Sequence, residues 1–324
     1  MTVLLEDGPD AGLVSHIVNP IAEQRLMESG GGALVLANRG VLTVSGPDRL
    51  TWLHSITSQA LEALVPGVTT TTLVLSPTGH VEHVLHLVDD GTTTWAWTEA
   101  GRLAELVAWL DSMRFLLRVE VRAREDLTVL WIGREVDRSG VDAVRLDSEV
   151  AGGTELLVPR DALSSLLTKA GGTTSLLGAT SQVGVRAWEA LRIAAGVPRI
   201  GPDTDDRTIP NEIGLYGTHL DKGCYRGQET VARVHNLGRP PRRLTLLLID
   251  GSPGDLPQPG PVTLGERVVG ALGTVGLHHD LGPVGLALLR RATPVDAVLQ
   301  VDGRAASQEP LVDPRVGLHV RPIL

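Results

Sequence analysis

Lys222-Gly223-Cys224-Tyr225-Arg226-Gly227-Gln228-Glu229 is the stretch on which the reading of this chain turns, and it holds the only cysteine among 324 residues. Gly223 and Gly227 bracket Cys224 to Arg226, so the main chain there is expected to adopt conformations, or to approach a ligand, in ways a side chain would forbid. Lys222 and Arg226 stand two residues either side of the cysteine. Nearby positive charge favours thiolate over thiol and makes the sulfur a better nucleophile or metal ligand. The competing reading is a small buried cysteine that packs like alanine; the flanking charges and glycines favour a working thiol.

Moving outward, residues 222–243 carry Lys222, Arg226, Arg233, Arg239, Arg242 and Arg243 against the single acid Glu229, a local charge of +5 in a chain of net charge −9. Guanidinium forks match carboxylate and phosphate, so a compact anion site is expected here; the plain alternative is a solvated loop and linker. Upstream, Pro210-Asn211-Glu212 offers a carboxamide and a carboxylate that can pair with adjacent N–H groups of a heterocycle such as a pterin, or can simply form a turn. Arg192, on a helix, is expected to be exposed, as arginines mostly are, with reach toward such a site as the alternative.

The rest of the chain gives the class. At this length two or three domains are expected, since single cores seldom exceed about 250 residues. Ala33 to Ala37 and Val41 to Val44 read as a hairpin joined at Asn38-Arg39-Gly40. A helix with Leu50, Leu53 and Ile56 at helical spacing follows. Thr71 to Leu75, Val81 to Val88 and Thr92 to Trp97 read as a three-strand meander, and Leu103 to Leu110 as an amphipathic helix. Strands are expected at Leu117 to Val121, Leu127 to Ile132 and Glu155 to Val158, and helices from Asp161 to about Lys169 and from about Gln182 to Ala195, the last ended by Gly196. After the stiff linker Gly238-Arg239-Pro240-Pro241, short β-type runs broken by Gly and Pro predict a small barrel. Strands and helices mix without regular alternation, so the class is α+β, with a body over 1–240 and a barrel over 241–324.

One cysteine excludes an internal disulfide, and no Cys/His spacing suits a structural zinc, so no metal site is expected. The acidic balance argues against binding along a nucleic-acid backbone. No apolar run approaches the ~20 residues of a membrane span, and the opening residues lack signal-peptide features; a cytoplasmic protein is expected.

Arg192-Ile193-Ala194-Ala195-Gly196-Val197-Pro198, Pro210-Asn211-Glu212-Ile213-Gly214-Leu215 and Lys222 to Glu229 with Thr230-Val231-Ala232-Arg233 together resemble the signature of YgfZ-type folate-binding proteins. These are relatives of the glycine-cleavage aminomethyltransferase, the T-protein. Val44-Ser45-Gly46-Pro47-Asp48 with Leu50, Leu53 and His54 adds a weaker match. The resemblance implies a ring of two intertwined α+β units and a C-terminal barrel around a folate site. It implies tetrahydrofolate or a one-carbon derivative as ligand, contacts from Asn211, Glu212, Arg192 and Arg233, and support of iron-sulfur cluster assembly or repair through Cys224 and partner or client proteins. One sulfur is too few for a cluster held by cysteine alone, which takes about four thiolates, so a partner would supply the rest. A folate-dependent aminomethyltransferase is the alternative. The sequence departs from the T-protein there, with Glu82-His83 where that enzyme has acidic residues, leaving Glu82 or His83 as the candidate proton carrier. A folate carrier without chemistry at Cys224 is the third reading.

Overall fold

Strand and helix alternate irregularly in the computed structural model, which describes residues 3–137, 141–167, 180–251 and 256–315. The chain divides into two units: Met1–Leu53, Leu61–Thr70 and Leu85–Trp188 form the first, and His54–Ala60, Thr71–Val84 and Glu189–Leu324 the second.

The first unit holds two antiparallel sheets. One orders Val144–Asp147, Thr154–Pro159, Leu127–Ile132 and Ala33–Leu36; the other places the later half of Val81–Asp89 beside Thr93–Glu99, then Arg39–Ser45, then Glu120–Ala123. The expected hairpin at Asn38 is therefore wrong, because its two arms lie in different sheets. The chain is diverted at the joint itself: Asn38 accepts from Ala100 N at 2.9 Å and its amide donates to Asp10, and Arg39 is already a strand residue opposite Glu99. Leu130, Ile132, Leu156, Val158 and Ala33 build a core cluster over which Leu166 closes. Leu166 belongs to Leu163–Leu167; positions 168 and 169 of the helix expected there lie outside the described residues. The expected strand at Leu117 begins only at Glu120, since Leu117 and Arg118 are exposed in the preceding turn.

The second unit is organised by a closed antiparallel barrel of Arg242–Ile249, Gly260–Leu264, Arg267–His278, Gly282–Arg290, Leu299–Val301 and Arg304–Pro310. Its first strand is apolar on both sides because both are buried. Leu247 and Ile249 join Val262, Leu272 and Leu289, whereas Leu244 and Leu246 pack with Tyr225, Val231, Ile213 and Ile193. That second cluster seats the residues discussed next. Val185–Ala194 ends at Gly196, whose φ of 73° suits the left-handed position that terminates helices. Among the described residues no helix is long and apolar enough to cross a membrane.

Candidate functional site

The motif lies wholly within the second unit as a loop running into the helix Gln228–Leu237. Sequence reading leaves these residues as loop and linker, and the reason is the helix start. Gly227 occupies the N-cap position with φ 80° and no side chain to cap, so the usual Ser, Thr, Asp or Asn signal is missing. Only one of the two bracketing glycines is required by its surroundings. A Cβ on Gly227 would lie 2.5 Å from Ser76 O and 2.8 Å from Gly79 Cα, whereas one on Gly223 would meet nothing within 4 Å.

Gly79 answers Gly227 from the turn before Val81–Asp89: its own Cβ would stand 2.9 Å from Gly227 O. Thr230 Oγ1 donates to Thr78 O at 2.8 Å, and Arg226 pairs with Glu82 at 3.4 Å. Tyr225 is buried in the core cluster, and its N–H donates to Gln228 Oε1 at 3.3 Å. Burial pushes its hydroxyl up to about 12. Between these anchors Cys224 is exposed, which removes the reading of a buried, alanine-like cysteine. Glu229 is exposed at the start of the helix.

Lys222 serves a different purpose from the one its spacing suggests. Its ammonium donates to the carbonyls of His54, Thr57 at 2.6 Å and Gln59 at 2.9 Å, and stands 4.8 Å from the Tyr225 ring centroid. Burial brings its pKa down to about 8. Lys222 is thus engaged by carbonyls and Arg226 by a carboxylate.

The expected cluster of positive charge does not form. Arg242 holds Glu212 through Nε and Nη2, both at 2.8 Å, and also bonds Asp205. Arg243 is fully buried and donates to the carbonyls of Arg290 and Thr293. Of the six cations of 222–243, Lys222, Arg226, Arg242 and Arg243 are engaged by carbonyls or carboxylates, and Arg233 and Arg239 are exposed.

Of the expected pterin contacts, Glu212 is fully buried, with its carboxylate on Arg242 and accepting from Ile209 N at 3.1 Å. Arg192 is 1% exposed, against the expectation of a surface charge: its donors meet Glu189, Asp203, Val197 O and Thr274. Asn211 is different. Its amide donates to Val231 O at 3.2 Å, while Oδ1 is buried with no hydrogen-bond partner among the described residues. A buried orphan acceptor calls for an explanation, and a ligand N–H is one. His83 is buried, and Glu82 is half-buried against Arg226.

Sequence reasoning finds the motif but misses what fixes it. The Ser76 to Gly79 turn reads only as a turn, and the carbonyls holding Lys222 carry no side-chain signal.

No family model matches the chain. A candidate chloroplastic transferase of Arabidopsis thaliana is 24% identical over 311 residues, covering 86% of this chain and 70% of that protein. The tRNA-modifying protein YgfZ of Escherichia coli is 32% identical over 167 residues, covering 48% of this chain and 49% of its own, so the match spans about half of that relative. In fold, the glycine cleavage system aminomethyltransferase T from Bartonella henselae superposes with a TM-score of 0.78 over 96% of this chain and 94% of its own, at 16% identity. The chain accordingly has the T-protein fold and is similar over about half of its length to the YgfZ proteins.

Proposed function

We propose that this chain is a folate-binding accessory protein that takes tetrahydrofolate or a one-carbon derivative and supports iron-sulfur cluster assembly or repair through Cys224, with the remaining cluster ligands supplied by a partner. The observation that carries the reading is the exposure of Cys224 on a loop anchored at both ends. Such a thiol is accessible to a second protein while its position is held. The buried Oδ1 of Asn211 supports the folate half, as an acceptor suited to a pterin N–H. Glu212 and Arg192 support the fold around it through their ion pairs. The relatives' name attaches them to tRNA modification; this acidic chain, with most of its 222–243 cations engaged, suits service to a modifying enzyme better than contact with the RNA itself. Aminomethyl transfer is the weaker reading, since Glu82 faces Arg226 and His83 is buried.

Titration of the purified protein with reduced folates, followed by calorimetry and tryptophan fluorescence, tests the first half. Saturable binding weakened at least tenfold by Asn211→Ala is expected; absence of heat and of any fluorescence change overturns it. Cys224→Ala tests the second half: folate affinity stays unchanged while support of iron-sulfur enzymes in a deletion strain is lost. Full rescue by that variant removes the role of the thiol.

A further inference from the structure

Lys222 is held as a cation is held in a carbonyl cage. An ammonium has three donors, and here all three meet main-chain carbonyls, those of His54, Thr57 and Gln59, with the Tyr225 ring as a further surface. Among the described residues it has no carboxylate partner, and burial alone accounts for its shift. The segment that supplies the cage is fixed from other directions. Ser58 N donates to Leu73 O at 2.9 Å, Ser58 Oγ to Gly217 O at 2.6 Å, and Gln59 N to Thr72 Oγ1 at 3.0 Å. Downstream of Cys224 the motif is held by the Gly79–Gly227 contact; upstream of it, Lys222 reaches the fixed segment. We propose that Lys222 is the positioning residue of Cys224: its charged head pins the upstream arm of the loop to residues 54–60, and loss of that charge frees the arm and the cysteine with it.

The cage selects for a charged head: a neutral side chain at position 222 offers fewer donors to the three carbonyls and lacks the attraction of a full charge for their dipoles.

The single cysteine provides the readout. A nitroxide attached to Cys224 of the otherwise native chain reports the motion of the loop by electron paramagnetic resonance. An immobilised spectrum is expected for the native chain and for Lys222→Arg, which keeps its charge, and a mobile one for Lys222→Met. A Lys222→Met spectrum as immobilised as the native one, or a mobile native spectrum, overturns the proposal. If Lys222→Met does not fold, Lys222→Gln, which loses the charge but keeps a hydrogen-bond donor, decides in its place. The inference rests on Cys224 as the working group, but the measurement needs neither folate nor partner: a pinned loop in a protein that binds no folate is a failure of the functional reading, and an unpinned loop in one that does is a failure of this one.

Discussion

Arg192 is buried and Lys222 half-buried in the second unit, and these two cations are stabilised in opposite ways. Burial works against the charge of Arg192, but Glu189 and Asp203 more than offset it and its pKa is raised. Its Nη1 lies 3.0 Å from Asp203 and its Nη2 2.8 Å from Glu189, while Arg199 bonds Glu189 at 3.1 Å and Asp203 receives Thr274 N at 2.8 Å. Among the described residues Lys222 bonds only main-chain carbonyls, and burial brings its pKa down to about 8. Opposite charge raises the pKa of a buried cation against the cost of desolvation, whereas a lysine met by carbonyl dipoles alone keeps that cost. The first arrangement is scaffold, tying helix, loop and barrel strand together. The second ties one loop to one neighbouring segment.

The largest expected effect breaks the first arrangement. Arg192→Met removes the guanidinium and leaves two carboxylates facing a buried site, which costs about 3–5 kcal/mol. The midpoint of urea unfolding should fall accordingly, with the slope unchanged. A loss below about 1 kcal/mol would mean that Arg199 alone satisfies both acids, and the distinction between the two cations would weaken with it.

Glu155, in the first unit, extends the comparison to an anion. It is 4% exposed; Trp97 Nε1 donates to it at 2.6 Å and Ser148 Oγ at 3.0 Å. Burial raises its pKa to about 7, against those hydrogen bonds and the pull of Arg39. A folded-state pKa raised above the unfolded value means that the fold binds the proton more tightly. The contribution is therefore complete below about 4.5 and is lost as pH rises through about 7. Wild type relative to Glu155→Gln should be more stable at pH 5 than at pH 8 by up to about 3 kcal/mol, read from unfolding curves at both pH values. A difference independent of pH would show that hydrogen bonding, not burial, governs this group.

What the sequence reveals of these arrangements depends on whether the partner is a side chain in a regular pattern. The barrel strand Arg242–Ile249 is legible because burial on both faces makes Leu244 and Leu246 to Ile249 apolar, broken only by Thr245, and Val185–Ala194 because one face repeats at helical spacing. Ala33–Leu36 is legible as a strand but not in its pairing, since its partner Leu127–Ile132 lies some ninety residues on. The motif is legible as a motif, yet Lys222 misleads: its proximity to Cys224 in sequence suggests a thiolate partner, while its actual partners are carbonyls of a segment 163–168 residues away. Arg192 misleads in the other direction. Glu189, one turn before it, is visible, but Asp203 is brought by a loop, and without that second carboxylate an exposed arginine is the natural expectation.

The smallest expected effect comes from the pair nearest the cysteine. Arg226 and Glu82 are 3.4 Å apart with side chains 27% and 36% exposed, so water screens them and neither the regime of Arg192 nor that of Lys222 applies. Glu82→Gln should cost about 1 kcal/mol or less, and should cost less still in added salt, as measured by thermal unfolding at two ionic strengths. Its consequence belongs to binding instead. Glu82→Gln deletes one negative charge beside the Arg226 guanidinium on the loop that bears Cys224, so an anionic ligand that uses this arginine should bind the variant more tightly, and one that does not should bind it unchanged. A stability loss above about 2 kcal/mol would mean that the pair is desolvated and belongs with Arg192, and the loop would then be anchored by charge at its downstream end as well as pinned by Lys222 upstream.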